Sequence, residues 1–136
     1  MRYYVFNFSE DFEEKVIGKF VSSYRHGRTP NPCIDCNRCL KFGAFLDRAL
    51  EMGFDYIATG HYARVGYDEA SGRYRLLRGE SRAKDQSYVL YMLTQEQLAH
   101  TRFPLGTLHK TEARELAEHT AHYYDRGYIR REKYRI

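Results

Sequence analysis

Tryptophan is absent from these 136 residues, proline occurs three times and cysteine three times. No apolar run approaches the ~20 residues of a membrane helix, and the opening Met1-Arg2-Tyr3-Tyr4 is not an apolar signal segment. The expectation is therefore a cytoplasmic chain with no membrane partner. With 43% apolar and 29% charged residues, collagen-like and disordered classes are also excluded. The cysteines all fall in Cys33-Ile34-Asp35-Cys36-Asn37-Arg38-Cys39. A disulfide framework spreads its pairs along the chain, so thiol or metal chemistry in a reducing compartment is expected instead. Charge of one sign is scarce too. The formal net charge is +4, and most of that excess lies after Ala121, in Arg126, Arg130, Arg131, Lys133 and Arg135 against Asp125 and Glu132. Net charge alone argues only weakly for nucleic acid.

Tyr3-Tyr4-Val5-Phe6-Asn7-Phe8 is aromatic and β-prone, which predicts a strand. Ser9 is placed to cap a helix whose first turn carries Glu10, Asp11, Glu13 and Glu14. Phe12, Val16, Ile17, Phe20, Val21 and Tyr24 follow at helical spacing, and Gly27 stops the helix. Thr29-Pro30-Asn31-Pro32 reads as a stiff loop, because each proline restricts its predecessor. A second helix is predicted from about Asn37, with Leu40, Phe45, Leu46, Ala49 and Leu50 on its inner face and Gly53 at its end. Phe54-Asp55-Tyr56-Ile57-Ala58-Thr59 predicts a short buried strand closed by Gly60. A hairpin follows, with arms 62–67 and 73–77 about Asp68-Glu69-Ala70-Ser71-Gly72. Thr94-Gln95-Glu96-Gln97 matches a capping box, Phe103-Pro104-Leu105-Gly106 a turn, and 111–118 a last helix. Strands alternating with helices predict an α/β sheet, although two core strands and a hairpin are few for a self-sufficient doubly wound domain.

Three constellations carry chemistry. A thiol at a helix start has its thiolate stabilised by backbone N–H groups, and Arg28, Arg38 and Lys41 add positive charge nearby, so the cysteine stretch offers a nucleophile. The same C-x2-C-x2-C spacing, Cys33, Cys36 and Cys39, also opens one type of iron–sulfur run, but the fourth cysteine and its proline are missing. Zinc would need a distant ligand such as His26 or His61. Ala58-Thr59-Gly60-His61-Tyr62 places a glycine and a histidine beyond the carboxyl end of a strand, where ligands of open α/β sheets bind. Taken alone, this pair reads more readily as a turn with a surface histidine. Lys84-Asp85-Gln86 offers a cation, an acid and an amide for phosphate, ribose and base edges, although such a run is more often a solvated loop.

Together these segments resemble one family, the tRNA-specific 2-thiouridylases of the ATP-pyrophosphatase branch. The resemblance rests on Gly27-Arg28-Thr29-Pro30-Asn31-Pro32-Cys33-Ile34-Asp35-Cys36-Asn37 and Lys41-Phe42-Gly43-Ala44-Phe45. It continues through Ala58-Thr59-Gly60-His61-Tyr62-Ala63-Arg64, Lys84-Asp85-Gln86-Ser87-Tyr88 and Phe103-Pro104-Leu105-Gly106, in the family's order. It implies an incomplete adenine-nucleotide α-hydrolase-like fold (a Rossmann-like PP-loop ATPase domain) with a β-hairpin. It implies ATP-dependent sulfur insertion at C2 of the wobble uridine of tRNA: ATP adenylates the C2 oxygen, a persulfide sulfur attacks C2, and AMP leaves. The resemblance implies roles by position. Cys36 is the nucleophile, Asn31, Pro32 and Cys33 line the target-base site, Gly60 contacts ATP, and His61, Lys84, Asp85 and Gln86 contact tRNA. The implied partners are tRNA and a persulfide sulfur-donor protein.

The family's Ser-Gly-Gly-x-Asp-Ser pyrophosphate loop is not in this sequence, and no cysteine follows Cys39 to carry the persulfide. The expectation is thus a partial catalytic domain over 1–117, an unrelated basic, Tyr-rich tail over 118–136, and no thiolation by the chain alone. Cys33 stands where some members have aspartate and resembles members proposed to hold an iron–sulfur cluster. The alternative from the residues is a small metal or iron–sulfur module on Cys33, Cys36 and Cys39. A non-catalytic RNA-binding remnant using Lys84, Gln86 and the tail is a third.

Overall fold

A computed structural model describes residues 3–124, with side chains as far as 120. The first helix, α1 (residues 9–25), starts as Ser9–Phe12, widens into π-helical turns over Glu13–Gly18 and closes as Lys19–Arg25. Ser9 lies inside the first turn rather than capping it. The N-cap position is Phe8, with no side-chain cap bond, and Asn7 Oδ1 instead accepts from Ser9 N–H at 3.0 Å and from its hydroxyl at 2.6 Å. The strand expected over 3–8 does not form. No described strand runs beside it to complete a ladder, and its rings pack on one another and on Phe45 instead: Tyr4 stacks on Phe6 at 6.4 Å, and Phe6 meets Phe45 edge-on at 6.2 Å.

Helix α2 also departs from expectation. It begins at Pro32, five residues before Asn37, runs as Pro32–Cys36 and continues π-wound as Asn37–Ala44. Proline at the first helical position loses nothing, since that N–H has no intrahelical partner, and Asn31 supplies the N-cap. At Gly43 (φ −99°, ψ −108°) the helix breaks before α3, Phe45–Glu51. A Cβ at Gly43 would lie 2.9 Å from the Arg38 carbonyl oxygen. The Phe42 carbonyl beside the break accepts from Gln97 Nε2 at 2.7 Å.

Strand β1 is only Ile57–Ala58, paired in parallel with β4, Thr101–Arg102, through Ile57↔Thr101 and Ala58↔Arg102. The longer strand expected over 54–59 is cut short because the Phe54 N–H turns back to the Ala49 carbonyl (3.0 Å) at the end of α3. Of its large side chains only Ile57 is buried, Phe54 and Tyr56 being exposed. Hairpin β2–β3 (Ala63–Asp68, Arg73–Arg78) is antiparallel with Asp68↔Arg73 at its end, as predicted to within a residue. Helix α4, Gln95–Ala99, carries the predicted capping box: Gln97 N–H donates to Thr94 Oγ1 (3.2 Å) and Thr94 N–H to Gln97 Oε1 (3.0 Å). Helix α5 covers Lys110–Tyr124, longer than expected. It passes through 118–124, and the basic residues from Arg126 onward lie outside the described residues.

The core gathers Phe42, Leu46, Ala49, Ile57, Ala63, Val89, Leu90 and Phe103. Full burial of a Phe or Leu side chain stabilises by about 1.5–3 kcal/mol, so Phe42 and Leu90, both at 0% exposure, anchor it. The turn after β4 locks onto β2 at Gly106. Gly106 O accepts from Glu80 N–H at 2.9 Å, and a Cβ on Gly106 would fall 1.9 Å from the Ala63 carbonyl oxygen. The architecture is α/β with short, open sheets, as expected. Among the described residues no helix is long and apolar enough to cross a membrane.

Candidate functional site

A cavity of about 550 Å³ opens between α1, α2 and the segments after β1 and β3. One wall is apolar, made by Phe12, Val16, Ile17 and Phe20 of α1. The Lys19–Asp35 ion pair, 2.5 Å, ties that helix to α2.

Helix α2 supplies the thiols. Asn31 Oδ1 accepts from Cys33 N–H at 3.1 Å, which sets Cys33 in the first turn and Cys36 one turn later. The two are three residues apart on one face, and both line the cavity. Cys33 is exposed and Cys36 half-buried. A further step of three carries Cys39 round the helix, away from Cys33 and out of the cavity. There it meets Arg38, whose guanidinium is held above its ordinary pKa by the hydrogen bond with Cys39 and the charge attraction between them. Among the described residues no three His, Cys, Asp or Glu side chains converge as a metal requires, so the cysteine triplet does not fit a cluster site.

Asn37 is 1% exposed. Its Nδ2 donates to the Val89 carbonyl (3.1 Å), while Oδ1 has no partner. Lys41 reaches the same cavity. In an α-helix a residue five beyond Cys36 would point elsewhere, but the π-wound turns of 37–44 stack residues five apart.

His61, beyond the end of β1, is buried at 9% exposure. Its ring lies between Phe42 (centroids 5.8 Å) and Phe103 (6.0 Å), with Nδ1 2.8 Å from Thr59 Oγ1. Burial, and secondarily the charge of Lys41, lower its pKa to about 4, so the ring is neutral at pH 7. Gln86 is clamped to Tyr62 by two bonds: its N–H donates to Tyr62 O (2.9 Å) and its Oε1 accepts from Tyr62 N–H (3.0 Å). Tyr88 and Val89 complete this side.

The remaining sequence candidates lie around the cavity, not in its lining. Asp85 Oδ1 accepts from Gly79 N–H (2.9 Å) and Ser87 N–H (3.3 Å), and Oδ2 from the Ser87 hydroxyl (2.8 Å). Burial raises its pKa, but these bonds and the charge of Arg78 outweigh that, and the net shift is downward. Lys84 is exposed on the turn Arg82–Lys84. Asn31 is exposed, with Oδ1 engaged as the cap. Gly60 is exposed, and a Cβ there would meet only Leu105 Cδ1 at 3.8 Å. The structure thus brings Pro32, Cys33, Cys36, His61 and Gln86 together and leaves Asn31, Gly60, Lys84 and Asp85 at the margins. Sequence reasoning placed Lys41 near the thiols but missed Asn37 and the wall of α1 as parts of the site. Nothing in the letters signals π-winding, whereas the buried Asn sits one residue past a helical thiol.

Residues 1–125 match the family described as tRNA methyl transferase HUP domain. The chain is 61% identical over 115 residues to the tRNA-specific 2-thiouridylase MnmA of Moorella thermoacetica and 59% identical over 116 residues to that of Pelotomaculum thermopropionicum. The counterpart from Clostridioides difficile is 52% identical over 116 residues. Each match covers 85% of this chain and 32% of the relative, so the chain spans about a third of the length of the relatives it matches. Matched along 1–125 and more than half identical to all three, the chain belongs to the tRNA-specific 2-thiouridylase family, by way of its HUP domain.

Proposed function

We propose that this chain carries the thiol-bearing, base-facing part of an ATP-dependent tRNA 2-thiouridylase, acting at C2 of the wobble uridine. The observation that carries this reading is the placement of Cys33 and Cys36 in one cavity with His61 and Gln86. An extruded base needs such a site: apolar on one side, with a few fixed polar groups on the other. Of the two activities named among the matches, the paired thiols support sulfur insertion over methyl transfer.

The chemistry balances as follows. The uridine C2 oxygen takes the adenylyl group of ATP with loss of pyrophosphate. The outer sulfur of a persulfide, brought by a sulfur-donor protein, then bonds to C2, and the C2–O bond breaks as AMP leaves. That sulfur is still joined to its carrier through an S–S bond. The Cys36 thiolate displaces it, forming a disulfide and freeing the thiocarbonyl. Gln86 and His61 orient the base, Asn31 and Pro32 fix the helix that aims Cys36, and Lys84 and Asp85 face the RNA from the cavity's margin. Gly60 leaves room for ATP beside the end of β1. The phosphates do not fit the residues present, since the sequence holds no glycine-rich cradle, and no step is assigned to this chain there. The rival metal or iron–sulfur reading is not favoured, because Cys39 leaves the cavity. Three free thiols go with a reducing, cytoplasmic location.

The test uses two proteins. The chain alone, with ATP, a sulfide source and substrate tRNA, is expected to form no 2-thiouridine. A chimera in which residues 3–117 replace the matched segment of the Moorella thermoacetica relative is expected to form it, and to lose it on Cys36→Ser while still binding tRNA. Thiolation by the Cys36→Ser chimera would overturn the assignment.

A further inference from the structure

His61 has two ring nitrogens, and the structure accounts for only one. Nδ1 faces Thr59 Oγ1 at 2.8 Å. Nε2 has no partner among the described residues, yet it is not a sealed-off polar atom. His61 lines the cavity with Phe42 and Phe103 against its ring, so Nε2, its one unpartnered nitrogen among the described residues, is the polar atom it has to offer there. Thr59 is itself held in place, its N–H donating to the Arg102 carbonyl at 3.1 Å on the edge of β4.

A hydroxyl has a single hydrogen to place. Among the described residues Nδ1 is the only partner of the Thr59 hydroxyl. If Nδ1 carried the proton and donated to Oγ1, the hydroxyl hydrogen would have no acceptor in the protein. If the hydroxyl donates to Nδ1, both groups are satisfied and the ring proton must sit on Nε2.

Resting on the function proposed above, we infer that Thr59 is a positioning residue. Its hydroxyl donates to His61 Nδ1 and fixes the Nε2–H tautomer, so that His61 offers a neutral donor to the O4 carbonyl of the uracil in the cavity. The lowered pKa of His61 accords with this, since a neutral ring suits a neutral carbonyl better than a phosphate. O4 is chosen over O2 because O2 is the atom replaced in the reaction. Cytosine carries an amino group at the same place, which would set donor against donor. Thr59 would thereby help select uridine.

Two measurements test this on the full chain. Nitrogen-15 NMR of the histidine ring should show Nδ1 unprotonated and Nε2 protonated between about pH 5.5 and 8. Thr59→Val should move the ring toward the Nδ1–H form, and Thr59→Ser should keep the wild-type pattern. A wild-type Nδ1–H tautomer, an imidazolium at neutral pH, or an unchanged ring in Thr59→Val would overturn the inference. The second measurement is binding of two anticodon stem–loop RNAs, with U or C at the wobble position. Wild type should prefer U by about tenfold or more, and Thr59→Val should lose most of that preference. Equal binding of both RNAs by wild type would overturn the O4 assignment alone. Failure to bind either RNA would overturn the functional reading and the O4 assignment together, with the NMR still deciding the Thr59–His61 geometry.

Discussion

Acid should loosen this chain at a pH where most folded carboxylates are still ionised, and His61 is the cause. Its folded pKa is about 4, against 6.5 for a free histidine. Above about pH 6.5 the ring is neutral in both folded and unfolded states, and its contribution to stability is complete. As pH falls from there, the unfolded chain takes up a proton that the folded chain refuses, so stability drops until the folded ring also titrates near 4. The slope is at most 1.36 kcal/mol per pH unit, a ceiling of about 3 kcal/mol over the window. Because His61 lines an open cavity, solvent reduces this, and about 2 kcal/mol is expected. Asp68 and Asp85 also have lowered pKa values, Asp68 chiefly through the Ser71 hydroxyl. They too destabilise on protonation, but only below the ordinary carboxylate value of 3.8, outside the His61 window.

The assay is urea unfolding of the full chain by circular dichroism, at several pH values between about 7.5 and 4.5. His61→Asn lowers stability at neutral pH by removing a buried ring, so the slope with pH is the informative quantity, and it should flatten. Lys41→Gln should shrink the loss as well, since it removes the second cause of the shift while leaving the ring buried. A flat wild-type profile, or an undiminished slope in His61→Asn, would refute the reasoning.

Gly106→Ala forces a Cβ to within 1.9 Å of the Ala63 carbonyl oxygen, and neither atom belongs to a side chain that can rotate away. A loss above about 3 kcal/mol is expected in urea unfolding. Gly60→Ala, with only Leu105 Cδ1 at 3.8 Å, should stay within about 0.5 kcal/mol. Asn31→Ala removes the cap on α2 and should cost about 1 kcal/mol, with faster hydrogen exchange at the Cys33 amide. Maleimide labelling of the native chain, read by mass spectrometry, should mark exposed Cys33 first and the half-buried Cys36 and Cys39 after it. A Cys36 thiol that is inert until the chain unfolds would contradict its placement in the cavity.

Features set by local chemistry were legible in the sequence. The capping box at Thr94 needs four adjacent residues, and the hairpin about Gly72 needs a turn between two alternating arms. Both formed where expected. The errors share a different origin. Asn31-Pro32 looked like the end of a loop because proline is read first as a breaker, yet at the first position of a helix it breaks nothing. Residues 3–8 and 54–59 have strand-like composition, but a strand exists only where a neighbour offers a ladder, and only β4 does so, for two residues of β1. Of the site, the cysteine helix, His61 and Gln86 were found because their residue types carry chemistry. The apolar face of α1 and the charge of Lys41 near the thiols were legible too, but that both border one cavity depends on how α1 packs against α2, which no local pattern encodes.

The ties that shape the cavity explain why its members are scattered in sequence. Asn37 holds the Val89 carbonyl, Gln86 holds both polar groups of the Tyr62 backbone, and Gln97 holds the Phe42 carbonyl. Thr59 fastens His61. All are neutral hydrogen bonds, and all but the Gln86 N–H to Tyr62 carbonyl bond join a side chain to a segment two to fifty-five residues away. Among the described residues, the one ionic tie that borders the cavity is Lys19–Asp35. Neutral bonds are nearly indifferent to salt, whereas phosphate contacts weaken steeply with it. Under the proposed function, the salt dependence of RNA binding would therefore report the charges around the rim, Lys84 among them, and not a loosening of the site. The same division of labour accounts for the placement of the polar candidates: neutral groups line the wall opposite α1, where under the proposed function a base would be recognised, and among the described residues the cations other than Lys41 stay outside the lining, where the backbone of a nucleic acid would pass.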